Sequence, residues 1–198
     1  MDTESTVERF VTVDTYQFAV TLFLMSEGAF FAFLIIAYVY FHGSMTSGPN
    51  ASSSLNPLKT GLYSVFLVAS SFTMRTAERK LSSGHRRAFS GWLLTTILLG
   101  AIFLVGQGRE YFNLYRADVT VSRNVFGTSF FTLTGFHGLH VLLGLLALCI
   151  LFALAMGGDF KTGRSNAIRA VALYWHFVDW IWVVIFFVVY VWALFLRF

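Results

Sequence analysis

VFGTSFFTLTGFHGLHVLLGLLALCILFALAM, residues 125–156, decides the fold. It contains no Asp, Glu, Lys or Arg. At ~1.5 Å per residue, a helix of this length exceeds the ~30 Å of bilayer hydrocarbon, so it reads as a membrane span that tilts or protrudes. Near its midpoint sit His137 and His140, three residues apart and therefore on one helical face. The question for the rest of the chain is what needs imidazole there.

Working outward, four more apolar runs reach membrane length: Tyr16–Phe41, Leu58–Ala77, Ala88–Gly108 and Ala170–Leu196. Of the 198 residues, 57% are hydrophobic and only 12% charged, as expected of a membrane protein. The fold class is thus all-α: a polytopic bundle of five transmembrane helices forming one domain over 16–198, preceded by a short cytoplasmic segment at 1–15. The second run is the weakest, because its charge-free stretch TGLYSVFLVASSFTM is short and Lys59 and Arg75 must snorkel outward. The acidic start MDTESTVERF lacks the positive charge of a secretory signal, so the first run is expected to remain in the mature protein. Cys149, the single cysteine, lies among leucines and reads as a buried, inert thiol.

The net charge of +4 comes from basic residues in short connectors, which argues for topology signals and against a nucleic-acid partner. The N-terminal side and the second and fourth connectors carry nine: Arg9, Arg75, Arg79, Lys80, Arg86, Arg87, Lys161, Arg164 and Arg169. The other side carries five: Lys59, Arg109, Arg116, Arg123 and Arg197. The positive-inside rule places the N-terminus in the cytoplasm and the C-terminus outside.

Ionisable groups inside apolar runs cost at least ~2.5 kcal/mol at a helix centre, so they face protein or water and find partners. Glu27, in FLMSEGAFFAF, and Asp179, in YWHFVDWIW, reach mid-membrane depth, with His176 one turn shallower than Asp179. These groups and His137 and His140 fall in one layer, and a Glu27–His140 hydrogen bond or ion pair is predicted. Two roles stay open for the cluster: interhelical pins, or a proton-linked pair. Gly135, Gly138 and Gly144 are expected to admit a neighbouring helix. Trp175, Asp179, Trp182 and Phe186 form a second stripe. Metal binding is disfavoured: zinc or copper would need more ligands than His137, His140, His176 and the carboxylates supply, and no cysteine pair exists. Lys59, Lys80 and Lys161 lie at span ends, leaving no mid-helix lysine for a Schiff base. Glu110, in GQGREYFNLYRAD, reads as a surface carboxylate just past the outer end of the third helix.

At these residues the chain resembles a known family. MSEGAFFAF, GREYF, FGTSFFTLTGFHGLHV and YWHFVDWIW, in this order, closely resemble subunit III of the haem-copper terminal oxidases, of the five-helix bacterial type. The resemblance spans about 17–198. It implies a non-catalytic subunit that packs on catalytic subunit I, alongside subunits II and IV, in a bacterial cytoplasmic membrane, with respiratory supercomplexes as further partners. It also implies phospholipid binding and support of proton uptake. No cofactor is expected in this chain; haems and copper belong to subunits I and II. The family's carbodiimide-reactive carboxylate maps onto Glu27 and its histidine motif onto His137 and His140. Trp175, Asp179 and Trp182 are expected to contact subunit I. Many relatives have seven helices, and this chain begins where the third would. Glutamate at position 27 and Y-W-H-F-V-D lean toward the cytochrome c branch over the quinol branch. The alternative reading is a haem-b membrane anchor of a respiratory dehydrogenase.

Overall fold

A computed structural model of the chain describes residues 3–43, 57–117, 119–121, 125–157 and 165–192, with side chains described for 18–41 in the first helix and from 166 in the last. Five helices follow one another: α1 Thr3–Gly43, α2 Pro57–Ser82, α3 Arg86–Arg116, α4 Val125–Met156 and α5 Ser165–Phe186. The last continues as a π-helical turn over Phe187–Val191. No strand occurs among the described residues, in keeping with the all-α expectation. Helix α1 begins at Thr3, so the backbone of the predicted N-terminal segment is helical from there. Helix α3 runs past Gly108 to Arg116. The serine loop at 44–56, the basic turn at 158–164 and the end of the fifth predicted run at 193–196 lie outside the described residues.

Four helices contain stretches long and apolar enough to cross a membrane: Phe18–Phe41, Arg86–Arg116, Val125–Met156 and Asn166–Val191. Helix α2 is not among them, because threonines and serines interrupt its apolar run. The structure shows where those hydroxyls go. The buried stripe of α2 is Thr60, Ser64, Leu67, Ser70, Met74 and Ala77, a three-and-four spacing that marks one helix face. Its opposite face exposes Leu58, Leu62, Val65 and Phe72. Polar inside and apolar outside is the reverse of a soluble helix.

Helix α2 packs chiefly on α3 and also on α5, while α1 lies against α4 and α5. The α2–α3 turn is closed by Gly84 at φ 78°. Its N–H donates to Leu81 O at 2.9 Å and His85 N–H donates to Lys80 O at 2.9 Å. This pair of bonds is a Schellman motif, which satisfies the last carbonyls of α2 and needs a residue without Cβ at the left-handed position. Pro57 opens α2, where a missing N–H costs nothing.

The bundle centres on Trp175. Its indole Nε1 donates to Ser70 Oγ of α2 at 2.9 Å. A Cβ built on Gly100 of α3 or Gly144 of α4 would lie 2.8 Å from its ring. One aromatic ring therefore fixes how closely four helices approach. Of the three glycines expected to admit a neighbour, only Gly144 does so at such close range. Gly135 meets nothing nearer than 3.7 Å and Gly138 nothing within 4 Å. Gly100 and Gly106 supply the other close approaches; a Cβ built on Gly106 would lie 2.3 Å from the Tyr63 ring. Cys149 is exposed on α4, not buried as expected, because the core face of α4 there is taken by Leu145, Leu148 and Leu151.

Candidate functional site: three polar junctions

The residues expected to share one cluster divide among separate junctions. The first joins α1 to α4. His140 Nε2 lies 2.9 Å from Glu27 Oε2, and His140 Nδ1 lies 2.7 Å from Phe136 O. A carbonyl oxygen only accepts, so Nδ1 carries a hydrogen and donates. The contact between Nε2 and the carboxyl then holds one proton, whether as imidazolium with carboxylate or imidazole with carboxylic acid. Both forms are net neutral, which is how the bundle tolerates two ionisable groups at this depth. Phe31 meets the His140 ring edge-on at 5.0 Å. Tyr174 OH of α5 donates to His140 O at 3.1 Å.

His137, although on the same face as His140, makes no such pair. It is fully buried, and neither ring nitrogen has a hydrogen-bond partner. Its ring stacks on Trp182 at 4.9 Å and meets Phe103 edge-on at 6.1 Å. In this position it serves as an aromatic packing element.

The second junction joins α2 to α5. Trp182 Nε1 donates to Ser64 Oγ at 2.8 Å, and about two turns away on α5 Trp175 reaches Ser70. Between them, the Ser71 hydroxyl donates to Asp179 Oδ2, and Ser71 Oγ also lies 3.0 Å from His176 Nδ1. His176 Nε2 stands 3.9 Å from Glu78 Oε2. The expectation that Trp175, Asp179 and Trp182 face another subunit is corrected here. Their exposures are 0%, 5% and 0% within this chain alone, so the stripe is spent on α2 and on the glycines of α3 and α4. Trp180, 66% exposed on the opposite face, is the tryptophan of this stretch that points outward.

The third junction lies toward the other end of the bundle. Glu110 is not a free surface carboxylate beyond the helix. It sits inside α3, where it accepts from Thr60 Oγ1 of α2 at 2.7 Å and from Tyr190 OH at 2.7 Å. The π turn aims Tyr190, itself buried, at this carboxylate; such turns often occur where a side chain must be re-aimed. Beside them, a cavity of roughly 300 Å³ is lined by Lys59, Tyr63, Arg109 and Asn113. The hydroxyls of Tyr111 and Thr134 meet at 2.8 Å and extend the network to α4.

Sequence reading passed over the serines and threonines of α2. A signal was available: Thr60, Ser64, Ser70 and Ser71 repeat at helical spacing opposite an apolar face, the pattern of a membrane helix that hydrogen-bonds inward. Among the described residues, no group of three or more His, Cys, Asp and Glu side chains is placed to hold a metal ion.

A bundle with hydroxyls and carboxyls turned inward and a mostly apolar outer surface defines the class of α-helical integral membrane proteins. More particularly, residues 3–194 match the family model described as Cytochrome c oxidase subunit III, and the chain belongs to that family. It is 37% identical over 179 residues to the cytochrome c oxidase subunit 3 of Synechocystis sp., covering 89% of this chain and 76% of that one. It is 38% identical over 179 residues to the corresponding subunit of Corynebacterium diphtheriae, covering 85% and 84%. It is 34% identical over 192 residues to that of Loxodonta africana, covering 92% and 72%.

Proposed function

We propose that this chain is the non-catalytic subunit III of a proton-pumping haem-copper oxygen reductase of the cytochrome c branch. In this reading it packs on subunit I in a bacterial cytoplasmic membrane, binds phospholipid at its apolar surface and supports proton uptake by the complex. All five helices span the bilayer as one domain, with the N-terminus in the cytoplasm. The observation that carries the reading is family membership joined to polarity. Exposed Phe33, Ile36, Phe72, Trp180 and Phe187 give the outer surface a character that only lipid or another membrane subunit can cover. The inward hydroxyl stripe of α2 supports counting it as a span despite its weak hydropathy.

Within this reading Glu27 and His140 act as the proton-linked pair. Their contact holds one proton in either of two neutral forms, so that proton can shift between the two groups without changing the charge buried in the bundle. The haem-anchor alternative is poorly served by the packing. His137 lies against Trp182 with no room for a porphyrin face, and both nitrogens of His140 are engaged.

Gentle purification of the tagged chain from its host membrane tests the assignment. A haem-copper catalytic subunit is expected to co-purify. A lone polypeptide with its own haem absorption band would overturn it. On the isolated complex, Glu27→Gln should abolish carbodiimide labelling of this chain; labelling at the wild-type rate would remove Glu27 from the role given to it.

A further inference from the structure

The α2–α5 junction contains four groups in sequence, running from a partly exposed carboxylate to a buried one. Glu78 sits four residues before the end of α2 at Ser82, and its side chain is 33% exposed. His176 follows, its Nε2 facing Glu78 at 3.9 Å and its Nδ1 facing Ser71 Oγ at 3.0 Å. The Ser71 hydroxyl is engaged with Asp179 Oδ2. At ~1.5 Å per residue, the seven residues from Glu78 back to Ser71 carry this sequence ~10 Å along α2. Trp175 and Trp182, both fully buried, bracket Asp179 one turn to either side.

We propose that Glu78, His176, Ser71 and Asp179 form a proton-exchange relay connecting the buried Asp179 carboxyl to water at the α2–α3 turn end of the bundle. The inventory of donors fixes its polarity. Ser71 has one hydroxyl hydrogen, which it gives to Asp179, so toward His176 it accepts, and Nδ1 carries the hydrogen. Nε2 of the neutral ring is then bare, and it is a buried atom with no hydrogen-bond partner of its own. Glu78 is the acid within ion-pair reach of it. A proton delivered from the Glu78 carboxyl forms the Nε2–H bond. The Nδ1–H bond breaks toward Ser71 Oγ as the Ser71 O–H bond breaks toward Asp179 Oδ2. Glu78 ends as carboxylate, Asp179 as carboxylic acid, and His176 as the opposite neutral tautomer, so charge and atoms balance with no co-reactant. The reverse sequence deprotonates Asp179, and exchange needs no other step.

Among the described residues of the elements packed on α5, the other ionisable groups near this junction are engaged or exposed elsewhere. Glu27 of α1 and His140 of α4 hold each other, His137 stacks on Trp182 without a polar partner, and Arg75 and Arg79 of α2 point outward. Acid–imidazole chains of this composition are what buried proton transfer requires inside a bilayer. The inference rests on the proposed membrane placement but not on the Glu27–His140 pair. The relay opens on the end that carries the basic α2–α3 turn, the cytoplasmic side in the proposed orientation.

The test uses the intact oxidase complex in nanodiscs. After a pH jump, infrared absorption of the Asp179 carboxyl, assigned by subtraction of the Asp179→Asn complex, is followed in time. In wild type the band is expected to re-equilibrate promptly. Ser71→Ala, His176→Phe and Glu78→Gln should each slow it by at least ~100-fold, the lower end of what a positioned acid–base group contributes. Ser71→Thr, which keeps the hydroxyl, should retain the wild-type rate. Glu78→Gln alters only the exposed end and keeps the test open if a buried variant fails to assemble. Wild-type rates in the slowed set would overturn the relay, as would an Asp179 band that does not respond to the pH jump. Co-purification is scored separately: its loss sinks the assignment to the oxidase, whereas an unchanged rate sinks only the relay.

Discussion

Helices α1 and α2 join the same bundle by opposite means. Helix α1 is apolar enough to stay in lipid unaided, and only 6% of its most apolar window is buried inside the chain. Its polar attachment is one carboxyl–imidazole contact, flanked by Phe31 and Tyr38 packed into the core. Helix α2 lacks that hydropathy and is stitched in place, with Ser64, Ser70 and Ser71 bonded to α5, Thr60 to Glu110 and Thr73 to Thr96 at 2.8 Å. Interhelical hydrogen bonds in membranes average ~0.6 kcal/mol, so several together supply a few kcal/mol. The difference teaches that hydropathy and stitching compensate each other. It also means that the Glu27–His140 contact adds a specific tie to a helix whose own hydropathy already suits it to lipid.

The comparison breaks most severely at Trp175. Replacing it with alanine should cost ~3–5 kcal/mol, because the glycines at 100 and 144 cannot refill the space and Ser70 loses its donor. Thermal unfolding in detergent measures this. Next, Glu27→Leu should cost ~1–3 kcal/mol by stranding His140 Nε2 in the bundle, whereas Glu27→Gln, which can still hydrogen-bond, should cost clearly less. If the two variants unfold alike, the contact is not a specific bond.

A double-mutant cycle sharpens the picture further. Trp175→Phe with Ser70→Ala should show a coupling of ~0.5–1.5 kcal/mol. Trp175→Phe with Glu27→Gln should be additive to within ~0.5 kcal/mol, since the two junctions share no hydrogen bond. Coupling of equal size in both cycles would merge the junctions into one network. The smallest effect is expected at Gly138, where a Cβ meets nothing. Gly138→Ala should stabilise by ~0.5–1 kcal/mol through helix propensity alone, and a loss there would reveal a close contact from outside the chain.

The helices themselves were legible, because long charge-free runs and the depth of Glu27 follow directly from chain geometry. The weak second run was also recognisable as weak. What the serines of α2 do was not, since a serine in an apolar helix looks the same whether it bonds its own backbone or a tryptophan on another helix. The facing of Trp175, Asp179 and Trp182 depended on that missed stripe: without partners in view on α2, a polar–aromatic face looks like an interface for another subunit. Glu110 was misplaced because its run was ended at Gly108, and the π turn that delivers Tyr190 has no sequence signal of its own. Cys149 shows the limit of reading burial in lipid, where leucine neighbours accompany the outward face as readily as the inward one.

The π turn at Phe187–Val191 makes this end of the bundle sensitive to backbone geometry. Regular α-helix in place of the π turn, at unchanged length, would rotate Tyr190 away from its present direction about the axis. Tyr190 would leave Glu110, and the carboxylate binding α2, α3 and α5 together would lose its strongest donor on the α5 side. Backbone geometry in this stretch therefore matters more than the identity of its apolar side chains.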